Sequence, residues 1–404
     1  NSTSTPVRLV VDPSCTGLNI ILAKGENMLT KIPEILVRLR THRFAWSTDI
    51  SKLYNMLHLK DSALPYSLFL FEDSLQDAVP PVVWVMTRAW YGVCSTGNQS
   101  GVALEGLAKL MAGEYPAAVD PLTRDRYVDD LVSGGDSEAA RDIQIRETEA
   151  CLRSGGFSLK FVARSGEPPP AAASVDGTTV GCLGLSWDTI SDFISPALTS
   201  MNLERKVRGT RPAPDRDLST REGILAALAD GLITCADLLS RIAEFFDPVG
   251  WWEPLRLQLK LHFQSFNHLD WTEAIPADSH ALWADLLAFV DSARQFRIPR
   301  CVIPSLCPEP WNIRLICLAD AAEGAGGAAI YGGVELPDGT FSCSLLLAKS
   351  RLLKNSVPRN ELEAILLCAD AALTVRRALG ERVGEVLFYT CLLYTSPSPR
   401  DGLL

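Results

Sequence analysis

Hydrophobic and polar positions along the first 190 residues fall into short alternating runs separated by helical stretches. The runs Val7 to Val11, Arg43 to Ile50, Val82 to Met86 and Arg126 to Val132 are rich in β-branched and aromatic side chains and predict strands. A helix is predicted from Asp136, a good N-cap, through Ala139, Ile143, Ile145 and Cys151 to Leu152, with Gly155-Gly156 ending it. Pro168-Pro169-Pro170 and the alanines after it predict a loop, followed by a short strand from Val180 to Trp187. The mixture predicts an α+β domain over residues 1–190.

A different pattern follows. Arg221 to Phe246 reads as mostly helix closed by Asp247-Pro248, and Trp251 to Trp283 continues in the same apolar, helical style, so residues 191–300 are expected to form a helical domain. A third domain, 301–390, begins with a strand from Ile313 to Leu318. A hairpin turn at Pro337-Asp338-Gly339, a strand from Phe341 to Ala348, a helix from Pro358 to Leu379 ended by Gly380, and a strand from Glu385 to Thr390 complete it. The predicted order there is β-β-β-α-β, and no internal repeat is evident.

Composition narrows the picture. A chain of 404 residues that is 47% hydrophobic can build two or three cores and is no disordered segment. With 38 basic against 48 acidic side chains the net charge is -10, which excludes a protein that coats phosphates through bulk charge. Any grip on nucleic acid must be local. The 11 cysteines form no CxxC pair and the 5 histidines no HExxH, so neither a zinc site nor a disulfide framework is supported, and reduced, intracellular thiols are expected. No apolar run reaches the roughly 18 residues of a membrane span, and no leader-like segment opens the chain, so a soluble protein with no membrane partner is expected. The chain opens at Asn1 in what reads as the middle of a domain, so we expect it to be cut from something longer.

Candidate chemistry concentrates at Tyr127-Val128-Asp129-Asp130, two adjacent carboxylates between apolar strand-forming flanks, with Gly134-Gly135 close behind. Adjacent residues of a strand point to opposite faces, so a tight turn must bring the two acids near one region. A further acid, Asp49, ends the run Arg43 to Thr48 and precedes Ile50-Ser51-Lys52-Leu53-Tyr54, a strand entering a helix. Side by side in one sheet, Asp49, Asp129 and Asp130 would hold two divalent ions about 3.5 to 4 Å apart, as phosphoryl transfer requires. Magnesium suits these hard oxygen donors, with manganese as a substitute. The tetrapeptide alone is a weak motif, because acid pairs in turns are commonly solvated caps.

Its surroundings strengthen it. Over nearly its whole length the chain resembles the polymerase region of BEL/Pao-type long-terminal-repeat retrotransposons, with motifs in family order. Val7-Arg8-Leu9-Val10-Val11-Asp12 with Leu18-Asn19 resembles the fingers segment whose arginine contacts the incoming triphosphate, a role the resemblance gives to Arg8. Thr48-Asp49-Ile50 with Tyr54 resembles the first catalytic motif, in which the aromatic ring crowds the 2'-position and favours deoxynucleotides. Tyr127 to Asp130 resembles the second, with Tyr127 beside the substrate. Gly156-Phe157-Ser158-Leu159-Lys160 resembles the next, with Lys160 as proton donor to pyrophosphate. Cys182 to Asp188 resembles a primer-gripping hairpin, and Ile242 to Gly250 and Ile298-Pro299-Arg300 resemble later family features. One departure stands out. Where the family has a Phe-Gly pair followed by Ser-Pro, this chain reads Tyr91-Gly92-Val93-Cys94-Ser95-Thr96-Gly97, which keeps Gly92 as a substrate-side residue but lacks the proline.

The resemblance implies an α+β right-hand polymerase: truncated fingers and palm sheet over 1–190, a helical thumb and connection over 191–300, and an incomplete RNase H-like α/β domain over 301–390. Asp320 and Glu361 stand where that domain carries metal-holding acids. The third acid is expected after Thr390, where the sequence has Cys391, and residues 391–404 resemble a translated adaptor, so the RNase H-like part is expected to be inactive. The implied partners are RNA template, DNA primer, deoxynucleoside triphosphates, and the protease and integrase of the intact polyprotein, within cytoplasmic virus-like particles. An alternative reading is a degenerate copy that at most binds primer and template. An aspartic protease is excluded, since neither Asp-Thr-Gly nor Asp-Ser-Gly occurs.

Overall fold

The structure, a computed structural model, describes residues 12–23, 25–71, 82–174, 176–198 and 217–390. Arg8, the strand expected from Val7 to Val11 and the tail 391–404 lie outside the described residues. The chain forms two compact units: residues 1–31, 44–164 and 170–172 make the first, and 32–43, 165–169 and 173–404 the second.

The first unit contains α1 (Leu18–Ile21), then, after α2 (Ile32–Thr41), which belongs to the second unit, β1 (Phe44–Asp49), α3 (Leu53–Met56), and a hairpin of β2 (Leu68–Phe71) and β3 (Val82–Val85). It continues with α4 (Thr96–Met111), α5 (Val119–Thr123), β4 (Arg126–Tyr127), β5 (Asp130–Gly135), α6 (Glu138–Ser154) and β6 (Ala163–Arg164). Its main sheet runs β4-β5-β1-β6, with β1 antiparallel to both β5 and β6. Ala45, Trp46, Ser47 and Thr48 are all buried, as expected of a central strand covered on both faces. The Trp46 indole donates to Gln144 Oε1 at 2.7 Å, and Thr48 Oγ1 donates to the Phe161 carbonyl, so burial leaves neither polar group unsatisfied. Trp46, Ile50, Leu104, Leu122, Leu131, Ile145 and Leu152 form the core between sheet and helices.

Helix α6 buries Ile145, Thr148, Cys151 and Leu152 at three- and four-residue spacing, the stripe of an amphipathic helix. Its N-cap is Ser137, one residue after the expected Asp136: the extended Ser137 accepts from the Ala140 amide at 3.2 Å. The glycine pair ends it as predicted, with Gly156 at φ +82°.

The second unit begins with α2, followed by β7 (Thr179–Cys182), β8 (Leu185–Asp188), β9 (Phe193–Pro196) and, far downstream, β10 (Ile298–Pro299), which form one antiparallel sheet. The segment Val180 to Trp187 is a hairpin rather than one strand, as the resemblance at Cys182 to Asp188 implies, turning at Leu183-Gly184 with φ +48° and +83°. Helices α7 (Arg221–Ala229), α8 (Cys235–Glu244), α9 (Glu253–Gln264) and α10 (His280–Ser292) share a core around Trp283, Leu238 and Phe245. The stretch Arg221 to Phe246, expected to be mostly helix, is two helices. Asp230-Gly231 breaks it, with Gly231 at φ +68°, and a reciprocal cap between Thr234 and Asp237 restarts it.

The unit closes with β11 (Ile313–Ala322), β12 (Ala325–Glu335), β13 (Phe341–Leu352), α11 (Val357–Leu379) and β14 (Val383–Thr390). The sheet order is β13-β12-β11-β14, with β14 parallel to β11, so the predicted β-β-β-α-β succession is present. Ile313, Leu315 and Cys317 pack with Ala364, Cys368, Ala371 and Val375 of α11. The buried Asn360 ties the helix start to the strand end, donating to the Ala322 carbonyl at 3.0 Å and accepting from the Asn355 amide. No helix among the described residues is long and apolar enough to cross a membrane.

Candidate active site

Strand register builds the site. Asp49 ends β1 and pairs directly with Asp130, the first residue of β5, so their side chains leave the same face as cross-strand neighbours. Asp130 also pairs with Tyr127 of β4, which leaves Val128 and Asp129 as a two-residue turn. That turn needs a positive φ, and Val128 supplies it at +56°. A β-branched residue rarely adopts such a conformation, and holding it there costs of order 1 to 3 kcal/mol. The main chain around the turn is pinned: the Ile50 amide donates to the Asp129 carbonyl at 2.9 Å and the Lys160 amide to the Asp49 carbonyl at 2.9 Å. The three carboxylates expected from the sequence are therefore at one end of one sheet.

Their electrostatics follow from this crowding. Burial, then the charges of Asp129 and Asp49, raise the Asp130 carboxyl to about 7, against which the Lys160 ammonium acts only in part. Lys160 Nζ instead lies 2.9 Å from Asp49 Oδ2 as an ion pair. The Tyr54 phenol is raised as well, by burial first and then by Asp129, Tyr91 and Tyr127, so all four groups cluster. The Tyr54 and Tyr91 rings stack at 5.1 Å between centroids.

The loop that departs from the family pattern is nonetheless held in place. Gly92 turns at φ +96°, its carbonyl accepts from Asn19 Nδ2 at 3.0 Å, and the Cys94 amide donates to Asn19 Oδ1 at 2.9 Å. Thr96 Oγ1 donates to the Trp90 carbonyl and opens α4. A Cβ on Gly97 would lie 3.9 Å from the Tyr54 hydroxyl, so α4 begins against that ring.

The donor set suits a hard cation, being three carboxylates of which one is driven toward protonation by burial and then by the other two. The side chains do not stand as a closed coordination sphere, however: among the described residues no three His, Cys, Asp or Glu groups are placed to hold an ion together. The sequence reading put the three acids in one place but not in chelating conformations.

In the second unit, Asp320 stands inside β11 rather than at its end, opposite Gly327, and its Oδ1 accepts from the Ala321 amide. It opens into a cleft of about 740 Å3 that is also lined by Glu253, Lys349, Ser350 and Tyr389. Glu361 is buried on α11 and does not line that cleft. Sequence reasoning missed two residues of the first site, Tyr91 as the partner of Tyr54 and the buried Arg126.

Comparison with solved structures assigns the class of fold. A foamy viral protease-reverse transcriptase in complex with an RNA/DNA hybrid superimposes with a TM-score of 0.55 at 17% identity, over 94% of this chain and 43% of that one. A second foamy viral protease-reverse transcriptase structure, in complex with double-stranded DNA, gives 0.53 at 13% identity, over 98% and 64%. The fold is mixed α/β and of the reverse-transcriptase kind, including its RNase H-like region, and this chain spans about half the length of those relatives. Residues 234–390 match the family model described as the Pao retrotransposon-like RNaseH-like domain. That match covers the C-terminal part of the described residues, and the solved structures share the fold alone. No curated protein matches it.

Proposed function

We propose that this chain is an RNA-directed DNA polymerase segment that extends a DNA primer on an RNA or DNA template by nucleotidyl transfer from deoxynucleoside triphosphates. The observation that carries the reading is the pairing of Asp49 with Asp130 beside the strained Val128-Asp129 turn, at one end of the central sheet of a reverse-transcriptase fold. The hybrid and duplex in the foamy viral structures support nucleic acid as the partner.

Asp49, Asp129 and Asp130 would hold divalent cations, magnesium or manganese, which when bound would offset the charge of the triphosphate and activate the primer 3'-hydroxyl. Directly opposed residues of an antiparallel pair have Cβ atoms about 5 Å apart, so Asp49 and Asp130 would need only rotamer changes to share an ion. Lys160, ion-paired with Asp49, would lend a proton to the leaving phosphate. Tyr54, backed by Tyr91, walls the sugar side next to Asp129 and would exclude a 2'-hydroxyl. Tyr127 and Gly92 keep the substrate-side roles, and Arg8 the triphosphate role, that the resemblance gives them. No hydrolytic role is proposed for Asp320 and Glu361, which the cleft does not bring together.

Primer extension on a poly(A) template with an oligo(dT) primer tests this. Synthesis should require magnesium or manganese and be abolished in Asp49→Asn and Asp129→Asn. Undiminished synthesis in either variant rules out the assignment. A chain that binds the hybrid but extends nothing would be the degenerate copy.

A further inference from the structure

The two peptide planes on either side of the Asp129 Cα are both fixed from outside the turn. The plane after it is held through the Asp129 carbonyl by the Ile50 amide. The plane before it carries the Val128 carbonyl, and this accepts from Arg126 Nη1 at 3.1 Å. Arg126 is itself only 3% exposed, and its Nε donates to the Leu122 carbonyl of α5 at 3.1 Å. The guanidinium thus bridges the last turn of α5 and the strained turn, with a planar fork that an ammonium cannot reproduce.

Space for the fork has been left in α4. A Cβ on Gly101 would lie 3.2 Å from Arg126 Nη2, so glycine at that helical position lets the guanidinium lie flat against the helix. A buried cation that faces two carbonyls, with Glu105 as the nearest charge acting on it, is costly to retain for packing alone. With both flanking planes held, the Cα–Cβ bond of Asp129 has one direction, toward Tyr54 and Asp130.

We infer that Arg126 is a positioning residue that aims the Asp129 carboxylate by clamping the Val128 carbonyl, with Gly101 as the gap that admits it. The kinetic part of this inference rests on the polymerase reading, and the geometric part does not. Loss of the clamp frees the Val128–Asp129 peptide to rotate, which loosens the Ile50 bond next to it and misplaces the carboxylate.

Two readouts test it in the full chain. In Arg126→Gln, amide exchange at Ile50 should speed up at least about tenfold while exchange at Trp46, inside the preceding strand β1, stays unchanged. The kcat for primer extension should fall about 100-fold with the KM for deoxynucleotide within about threefold, the pattern of a misplaced group rather than a lost binding contact. Arg126→Lys should recover part of both, since an ammonium reaches one carbonyl. Should Arg126→Gln fail to fold, Gly101→Ala keeps the arginine and improves helix propensity while pushing the fork aside, and should still slow kcat about tenfold and expose Ile50. A folded variant of either kind with Ile50 exchange and kcat within about twofold of wild type overturns the inference. If the wild type shows no Asp129-dependent synthesis, the polymerase reading falls, and Ile50 exchange alone decides the role of Arg126.

Discussion

Burial and two neighbouring carboxylates lift the Asp130 acid from 3.8 to about 7, so the folded chain keeps a proton there across a range in which the unfolded chain has lost it. Between about pH 4 and 7 the native state therefore binds more protons, and stability falls as pH rises. The penalty is absent below pH 4 and complete above 7, where a shift of this size amounts to at most about 4 kcal/mol. Asp130→Asn removes the ionisation and keeps the shape. Its melting temperature should hold nearly level from pH 5 to 8 and exceed wild type at pH 8, whereas wild type should decline over that range. Calorimetry at several pH values checks this, and parallel slopes for the two proteins would refute it. The charged form becomes favourable once a cation is supplied, so magnesium should raise the wild-type melting temperature more at pH 8 than at pH 5.

At the scale of elements, close approach explains one loop of the second unit. Asp247 accepts from the amides of Gly250, Trp251 and Trp252 through its two oxygens and so ties the Asp-Pro-Val-Gly segment to the start of α9. Val249 then accepts from the Ala348 amide of β13 at 2.8 Å, and Gly250, at φ +86°, lies so near that a Cβ would come within 2.0 Å of the Ala348 carbonyl oxygen. Gly250→Ala combines an unfavourable φ with a clash against backbone and should cost about 3 kcal/mol or more, read as a lowered urea midpoint. Equal midpoints would mean that the loop can move off β13. The same segment shows what was legible. Its Asp-Pro stop was visible in the chain, but its docking on a strand a hundred residues away was not. Likewise α6 could be read from its stripe and glycine stop, yet its cap depended on which of Asp136 and Ser137 takes the extended conformation. The break at Asp230-Gly231 was hidden because the apolar spacing runs on across it. Strand β12 is mostly glycine and alanine, with little β-propensity of its own, and takes its form from β11 and β13 on either side. The carboxylate turn was legible because the motifs around it stand in family order, since two acids between apolar flanks alone are commonly a solvated cap. Arg126 was not, since nothing local marks an arginine as buried.

Over the whole second unit, segments far apart in sequence meet at one guanidinium. Arg300, fully buried, donates from Nε and Nη2 to the two oxygens of Asp192 at 2.7 Å each. It also donates from Nη1 to the Leu39 and His42 carbonyls and from Nη2 to that of Arg43, which are acceptors left open at the end of α2. Asp192 in turn accepts from the indole of the buried Trp187 at 2.9 Å. One side chain thus joins α2, the β8–β9 turn and the segment after β10, and every donor it has is used. The bidentate geometry and the helix-end carbonyls require a planar fork with several donors, so lysine is no replacement. Arg300→Lys and Arg300→Met should each destabilise the unit by roughly 3 kcal/mol, because three carbonyls and a carboxylate lose donors at once. Asp192→Asn keeps the shape and one acceptor and should cost less, about 1 to 2 kcal/mol. Urea unfolding followed by tryptophan fluorescence would report both through Trp187. If Arg300→Met instead proved as stable as wild type, the buried ion pair would be replaceable by apolar volume, and the three segments would be held by their hydrophobic contacts alone.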